Sequence, residues 1–278
     1  MLKTIELTPR IGSEVVADRE LLLSGAAAGE LRELLEWRGV LVFRGANFTD
    51  EEQIAFTDTL GLTHRRGETP VFNVTLDKDK VSHGGAEIAN YLRTTFYWHI
   101  DHIDQDVLVR ASILRACRLP DGGGGETEFC NTYAAYEDLP REDKDAIEHL
   151  RVVHSLENAQ RMITPEPTYA ELLRWQEVRK VHPLVWRHRS GRKSLVLGMT
   201  ASHIENMALE EGRALLCRLR EWATQPNYVY RHEWSVGDVV MWDNTGAMHR
   251  VLPYAADSGR MMHRTTLAGE EPVRGAAA

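Results

Sequence analysis

Short runs of apolar or alternating residues dominate the second half of this 278-residue chain and constrain its fold more than any other feature. Alternation with a period of two is typical of strands with one buried face. Helical spacing appears at Glu30–Trp37, after Thr49 and most clearly at Leu209–Thr224. Neither a regular strand–helix alternation nor a Rossmann glycine fingerprint is present. We therefore predict a mainly β fold with flanking helices, a two-sheet jelly roll. The runs predicted as strands include Val40–Phe43, Val107–Leu114, Glu126–Cys130, Leu184–His188, Ser194–Leu197, Tyr228–Trp234, Val239–Trp242 and Met261–Leu267.

The chain shows no internal repeat and no linker, so we expect a single domain over residues 1–278. Residues 62–95 are polar, dotted with glycine and poorly periodic. A loop of that length is usually functional or disordered, and we predict an active-site loop. Residues 155–180 are predicted to be an insertion. His64, Arg65, Arg66 and His83 lie in the 62–95 loop and are expected on the solvated surface.

Charge and cysteine content exclude several classes of protein. The net charge is −8, and no basic run is long enough to follow a nucleic-acid backbone. The longest apolar runs are too short for a membrane span, and the N-terminus lacks a signal-peptide core. Cys117, Cys130 and Cys217 are not clustered, which indicates neither a disulfide framework nor a zinc site. We expect a cytoplasmic protein that binds neither nucleic acid nor a membrane. The sequence leaves open whether it forms a homo-oligomer.

The segment Tyr97–His102 carries the strongest chemical signal. Read as a strand end, it buries Trp98 and places His99 and Asp101 together on the opposite face. A histidine and a carboxylate two residues apart can hold the same ion, and His249 is the best candidate for a third ligand. Two histidines and one carboxylate form the facial triad that leaves positions open on non-haem Fe(II) for a cosubstrate and O2. An isolated H-x-D motif among twelve histidines is more often structural.

Several further segments resemble the taurine dioxygenase/2,4-dichlorophenoxyacetate dioxygenase (TauD/TfdA) family of Fe(II)/2-oxoglutarate enzymes. The resemblance covers most of the chain except residues 62–95 and 155–180. In the last third it is closest to the aryloxyacetate branch. The matching segments are Val40–Gly45, Glu52–Phe56, Gly124–Phe129, Ala134–Tyr136, His182–Val185, Gly191–Lys193 and Gly237–Asn244 followed by His249.

The resemblance implies a double-stranded β-helix with iron at its open end. The implied iron ligands are His99, Asp101 and His249. Arg260 falls where the family places an arginine for the distal carboxylate of 2-oxoglutarate, and Thr127 matches the hydroxyl that binds the same carboxylate. Arg264 matches a second arginine that faces the anionic end of the substrate or the cosubstrate. A guanidinium suits this task because it binds carboxylates bidentately and keeps its charge when desolvated.

Without the resemblance, the same residues have simpler interpretations. Arg260 and Arg264 would be surface arginines at a strand end, and Thr127 a strand threonine. His102 is predicted to face away from the iron as a pocket wall, and His263 to be a packed strand histidine. The chain also departs from the taurine branch at Thr95, where that branch has asparagine.

The function implied is hydroxylation of a small carboxylate- or sulfonate-bearing substrate by an Fe(II)/2-oxoglutarate-dependent dioxygenase, with release of succinate and CO2. Hydroxylation next to an ether oxygen or a sulfonate would lead to C–O or C–S cleavage. The alternative is desaturation or oxidative decarboxylation of an amino or fatty acid derivative with the same cofactor. A cupin-type isomerase, a metal hydrolase and a non-catalytic binding protein are the other classes compatible with such a barrel.

Overall fold

The short runs of the sequence form strands of three to eight residues in a computed structural model that describes residues 2–65 and 69–276. In those ranges the strands are β1 (Lys3–Glu6), β2 (Ser13–Val16), β3 (Val40–Phe43), β4 (Phe72–Val74), β5 (Ala111–Arg118), β6 (Thr127–Asn131), β7 (Arg151–Ser155), β8 (Arg179–Pro183), β9 (Val185–Arg187), β10 (Lys193–Leu195), β11 (Ala201–Ile204), β12 (Val229–His232), β13 (Val239–Asp243), β14 (Ala247–Val251) and β15 (Met261–Leu267).

Helices occupy the first half of the chain and two later connections. They are α1 (Arg19–Ser24), α2 (Ala28–Arg38), α3 (Asp50–Leu60), α4 (Gly85–Tyr91), α5 (Thr132–Glu137), α6 (Arg141–Ile147), α7 (Leu156–Gln160), α8 (Tyr169–Gln176) and α9 (Leu209–Ala223), with short 3-10 helices at Leu92–Phe96 and Pro226–Tyr228. The predicted start of α3 is confirmed, because Thr49 and Glu52 form both hydrogen bonds of a capping box. No helix of the described ranges is long and apolar enough to cross a membrane.

A seven-stranded sheet, the major sheet, forms one layer of the molecule in the order β1-β2-β3-β13-β5-β15-β4. Its pairs are antiparallel except β2 with β3. A second sheet, the minor sheet, has the order β12-β6-β14 and is also antiparallel. Smaller sheets of β11-β7-β8 and β10-β9 extend the same side of the structure.

The central strands of the major sheet are apolar on both faces because both faces are covered. Val42, Val240 and Trp242 point to the minor sheet, where they pack with Phe129 and Tyr230. The alternate positions point outward to α1, α2 and α3 and form a second core. That core includes Leu41, Phe43, Ile113, Val239, Met241, Leu31, Leu35 and Phe56. Two facing sheets with helices outside confirm the predicted jelly roll with flanking helices.

Two predictions about local structure are wrong. The segment Tyr97–His102 is not a strand, because it follows a 3-10 helix that ends at Phe96 and contains only an isolated bridge at His99. Residues 62–95 are not a plain loop, because they contain β4, α4 and that 3-10 helix. Arg65 and His83 are exposed as predicted, whereas His64 is half-buried and Arg66 lies outside the described residues.

Candidate metal centre

The side chains of His99, Asp101 and His249 converge on one point, although the first two precede β5 and the third is on β14. One ligand atom from each lies within 4.8 Å of the other two. His99 Nε2 is 3.9 Å from Asp101 Oδ1, and His249 Nε2 is 3.8 Å from Asp101 Oδ2. Two imidazoles and one carboxylate at these separations can share one face of an octahedral ion.

The backbone brings the two histidines together. His99 N donates to His249 O and His249 N donates to His99 O, both at 3.0 Å, as an isolated antiparallel bridge. Gly198 packs against the same segment so closely that a Cβ atom there would lie 3.2 Å from His99 Cα. The neighbouring Met199 N donates to Trp98 O at 2.7 Å. The position of the ligands is therefore set by main-chain contacts on both sides.

Hydrogen bonds orient two of the three ligands. His99 Nδ1 lies 2.9 Å from Tyr97 O, so it carries the ring proton and leaves the Nε2 lone pair for a metal. Ser112 donates to Asp101 Oδ2 at 2.9 Å and in turn accepts from Asn244 Nδ2 at 3.0 Å. These contacts fix the tautomer of one ligand and the orientation of another before any ion is bound.

The protonation states suit metal binding. Burial lowers the pKa of His99, although Asp101 opposes this effect. Burial and the neighbouring His99 ring bring the pKa of His249 well below its usual value. Burial alone would raise the pKa of Asp101, but Arg264 and the two histidines outweigh it and the pKa falls below its usual value. Two neutral imidazoles and a carboxylate at neutral pH are the forms that metals bind.

Arg260 is a buried cation without an anionic partner among the described residues. It is 2% exposed, and its Nη2 donates to Gly125 O at 3.2 Å, while its Nε has no hydrogen-bond partner there. The guanidinium carbon lies 4.8 Å from the centre of the Tyr254 ring. Burial lowers the pKa of Arg260, and Tyr254 partly offsets this effect. A desolvated guanidinium with free donors favours a bound carboxylate.

The run of glycines before β6 forms the wall against Arg260. Gly124 and Gly125 have φ of +82° and +78°. A Cβ atom on Gly125 would lie 2.8 Å from Arg260 Nε, and one on Gly124 would lie 2.6 Å from Pro253 O. Glycine is needed in this turn for the close approach as well as for the left-handed backbone.

Thr127 begins β6 two residues after this turn and is 3% exposed. Its hydroxyl oxygen accepts from Trp234 Nε1 at 3.0 Å, so the hydroxyl proton can be donated elsewhere.

Arg264 lies at the triad itself. Its Nη1 is 3.3 Å and 3.4 Å from the two oxygens of Asp101, and its buried Nε has no hydrogen-bond partner in the described ranges. The guanidinium carbon is 5.4 Å from the centre of the Phe72 ring. Arg264 and Arg260 point to the face of the major sheet that carries the triad. His263 points to the opposite face and is hydrogen-bonded to Asp50 at the start of α3.

His64 is a site residue that the sequence interpretation missed. Its ring packs edge-on against His102 at 5.3 Å, next to Asp101. The chain returns to the sheet here, because Thr63 bridges to Leu267 and His64 N donates to Thr266 O at 2.7 Å. The local sequence is polar and aperiodic, so only the long-range pairing reveals the position of His64. His102 follows Asp101 directly and has φ of +57°, and its predicted role as a pocket wall stays a prediction.

Comparison with known proteins gives concordant matches. The profile of the family described as "Taurine catabolism dioxygenase TauD, TfdA family" matches residues 3–266. Two relatives named alpha-ketoglutarate-dependent 2,4-dichlorophenoxyacetate dioxygenase are each 36% identical. The one from Burkholderia sp. (strain RASC) matches over 89% of this chain and 87% of its own, and the one from Cupriavidus pinatubonensis over 92% and 93%.

A solved structure extends the likeness to three dimensions. The crystal structure of AAD-2 in complex with Mn(II) and N-oxalylglycine superposes with a TM-score of 0.86 at 34% identity. The match covers 98% of this chain and 99% of that chain.

Proposed function

The chain belongs to the TauD/TfdA family and is an Fe(II)/2-oxoglutarate-dependent dioxygenase, and we propose that it hydroxylates a small organic anion bearing a carboxylate or sulfonate. The observation that carries this proposal is the contact of Arg264 with the buried triad, on the same side of the major sheet as Arg260. Arg264 Nε has no hydrogen-bond partner among residues 2–65 and 69–276. Fe(II), 2-oxoglutarate and O2 supply the oxidant when bound, and 2-oxoglutarate leaves as succinate and CO2.

We propose that His99, Asp101 and His249 hold the iron. The donor set fits Fe(II), because two neutral imidazoles and one carboxylate cover one face and leave the opposite face for small ligands. Trp242 lies 4.5 Å from the His249 ring and is 1% exposed, so it keeps water from one side of the centre. The chain's contribution is to orient the donors and to exclude water.

Arg260 and Thr127 are proposed to bind the distal carboxylate of 2-oxoglutarate. Arg260 has the desolvated charge that a carboxylate requires and, at Nε, a donor without a partner among the described residues, and Thr127 has a hydroxyl proton to donate. The bound N-oxalylglycine of AAD-2 is a dicarboxylate with the same chain length as 2-oxoglutarate, which supports a cosubstrate of that shape.

Arg264 is proposed to bind the anionic end of the substrate. It contacts Asp101 in this structure, and a metal bound to Asp101 would share that carboxylate and leave the guanidinium able to bind a second anion. Phe72 and the packed rings of His64 and His102 lie near it, so an apolar or aromatic body next to the anionic group is favoured. The two relatives named for 2,4-dichlorophenoxyacetate have a substrate of that chemistry.

We also propose one domain over residues 1–278, with 62–95 as the substrate-facing segment and 155–180 as an insertion. Phe72 and His64 support the first of these roles, because both come from the 62–95 segment. A cytoplasmic location is supported by the three cysteines, all of which are free.

The test is succinate release with a panel of aryloxy acids, sulfonates, sulfate esters and amino acid derivatives. Release should require both Fe(II) and 2-oxoglutarate, should rise with at least one anion of the panel, and should vanish in His99→Ala. His149→Ala is the matched control, because His149 is exposed and remote in sequence from the triad. Release that persists in His99→Ala would disprove the proposed ligand set.

A further inference from the structure

A second cluster of reactive groups lies on the opposite face of the major sheet from the metal centre. Its members are Cys117 near the end of β5, His263 in β15 and Asp50 at the start of α3. Successive residues of a strand point to opposite faces, so His263 points outward where Arg264 points to Asp101. None of the three residues belongs to the metal or cosubstrate site proposed above.

A β-bulge brings the cysteine to this position. Met262 pairs with Ala116 while Met261 pairs with Arg118, so Cys117 is the extra residue of β5. Bulges re-aim side chains and interrupt pairing. The partner strand β13 pairs only as far as Arg115, so Cys117 lies where the sheet opens and is partly exposed.

The three side chains form a connected hydrogen-bonded series. His263 Nδ1 is 2.7 Å from Asp50 Oδ1, and Arg115 also forms an ion pair with that carboxylate. The Cys117 side chain contacts the His263 ring, and its thiol also lies 4.0 Å from Arg115 O. The His263 side chain is 20% exposed and that of Asp50 is 42% exposed, so solutes can reach the cluster.

The imidazole is suited to accept the thiol proton. The hydrogen bond with Cys117 raises the pKa of His263, burial lowers it, and the hydrogen bond with Asp50 raises it again, with a net increase. Arg115 Nη2 lies 3.2 Å from His263 Nδ1, on the side of the ring that faces Asp50. A thiol next to a histidine held by a carboxylate is the arrangement of an activated nucleophile.

We propose that Cys117 is a reactive thiol and a site of S-thiolation, with His263 as its base and Asp50 as the group that orients the base. His263 takes the thiol proton, and the Cys117 sulfur attacks one sulfur of a small-molecule disulfide. A new S–S bond forms to Cys117, the disulfide bond of the reagent breaks, and the departing thiolate takes the proton from His263. The incoming disulfide is the only oxidant, so the exchange is balanced.

The other two cysteines provide internal controls. Cys217 is exposed on α9, and its hydrogen-bond partners among the described residues are Arg220 and Glu221. Cys130 is fully buried and donates to Ala223 O, and burial raises the pKa of its thiol well above the usual value. Cys217 is therefore the control for an accessible thiol that has no histidine as a hydrogen-bond partner among the described residues, and Cys130 is the control for an inaccessible thiol.

The experiment measures the rate of reaction with 5,5′-dithiobis(2-nitrobenzoate) in the folded protein at pH 7, with the labelled residue identified by mass spectrometry. In Cys217→Ser, we expect one rapidly labelled thiol, Cys117. Adding His263→Gln should slow its labelling by at least about tenfold, since the base that generates the thiolate is lost. In Cys117→Ser, the same His263→Gln change should leave the labelling rate of Cys217 unaltered.

Two results would overturn the proposal: no labelling of Cys117 in the folded protein, or a labelling rate that His263→Gln changes by less than twofold. Labelling of Cys130 would reveal a variant that has lost its fold. If His263→Gln unfolds in this way, the labelling rate of Cys117 is measured in Asp50→Asn instead, with the same twofold and tenfold limits. Asp50→Asn leaves the imidazole in place but removes its orienting carboxylate.

Discussion

His99 and His249 are joined by two reciprocal backbone hydrogen bonds of 3.0 Å, although they lie far apart in the chain. Their rings are 4.0 Å apart at the centroids and both face the carboxylate of Asp101. Strand-like pairing of the main chain therefore brings the two histidines of the candidate metal centre together.

Replacement of Arg260 tests the cosubstrate pocket. Arg260→Gln should raise the KM for 2-oxoglutarate by about a hundredfold, since the loss of a charge-assisted hydrogen-bonded pair costs roughly 1.5–3 kcal/mol or more. The KM for the organic substrate should change little. Steady-state succinate release at varied 2-oxoglutarate measures both constants. Arg141→Gln is the control, because the Arg141 side chain is 92% exposed. An unchanged KM for 2-oxoglutarate in Arg260→Gln would show that another residue binds the distal carboxylate of 2-oxoglutarate.

Gly125→Ala should displace Arg260 without removing it. The new methyl group would lie 2.8 Å from Arg260 Nε, so the guanidinium must move and the KM for 2-oxoglutarate should rise. The backbone cost of an alanine at φ of +78° is about 1–2 kcal/mol of stability. Thermal unfolding and the KM for 2-oxoglutarate are the two measurements.

Gly122→Ala is the matched control for this variant. Gly122 has φ of +89° and nothing within 4 Å of the added Cβ position, so it has a similar backbone cost without the contact. We expect Gly122→Ala to lower stability by a similar amount and to leave the KM unchanged. Equal effects of both variants on the KM would show that the turn acts only through its backbone.

Glu128 should make stability depend on pH. It lies on β6 between Arg250 of β14 and Arg231 of β12 and is hydrogen-bonded to both at 2.7–2.9 Å. Burial raises the pKa of Glu128, but the two arginines lower it more and the pKa falls below 4.5. A carboxylate with a lowered folded-state pKa stabilises the fold above its unfolded-state pKa. This contribution is lost as the pH falls through the lowered folded-state value.

Chemical denaturation of metal-free Glu128→Gln and wild-type protein measures this contribution. At pH 7 the variant should be less stable by about 1–3 kcal/mol, because Arg231 and Arg250 lose the charged acceptor that they share. The difference in the free energy of unfolding should shrink at pH values below about 4, where the wild-type carboxylate takes up a proton. If the difference in the free energy of unfolding stays constant between pH 7 and pH 3, the destabilisation comes from the changed shape of the side chain and not from its lost charge.

Much of the fold follows from local patterns. The bounds of β3 and β15 match their apolar or alternating runs, and α9 ends one residue before its predicted end. Those elements are defined by burial of one or both faces, which periodicity records directly. The predicted strand before His99 fails because Phe96, Trp98 and Ile100 alternate for tertiary reasons. Phe96 packs against Tyr254 from a 3-10 helix, while Trp98 and Ile100 enter the core that surrounds β6 and β14.

The site could be predicted where a motif carries its chemistry and not where it depends on a distant contact. His99 and Asp101 are marked by their spacing, and His249, Arg260 and Arg264 by the family resemblance. The approach of Gly125 to Arg260 and the packing of His64 on His102 join segments that share no local pattern. Such contacts are created by strand pairing and become visible only once the sheets are assembled.

The most direct test of the metal centre is the binding of Mn(II), followed by the electron paramagnetic resonance signal of the free ion. We predict one bound Mn(II) per wild-type chain without 2-oxoglutarate. Each of His99→Ala, Asp101→Ala and His249→Ala should weaken binding by at least about a hundredfold, because the ion then loses one of its three bonds to the protein. Wild-type protein that binds no Mn(II), or a variant of His249 that binds it as tightly as the wild type, would contradict the account.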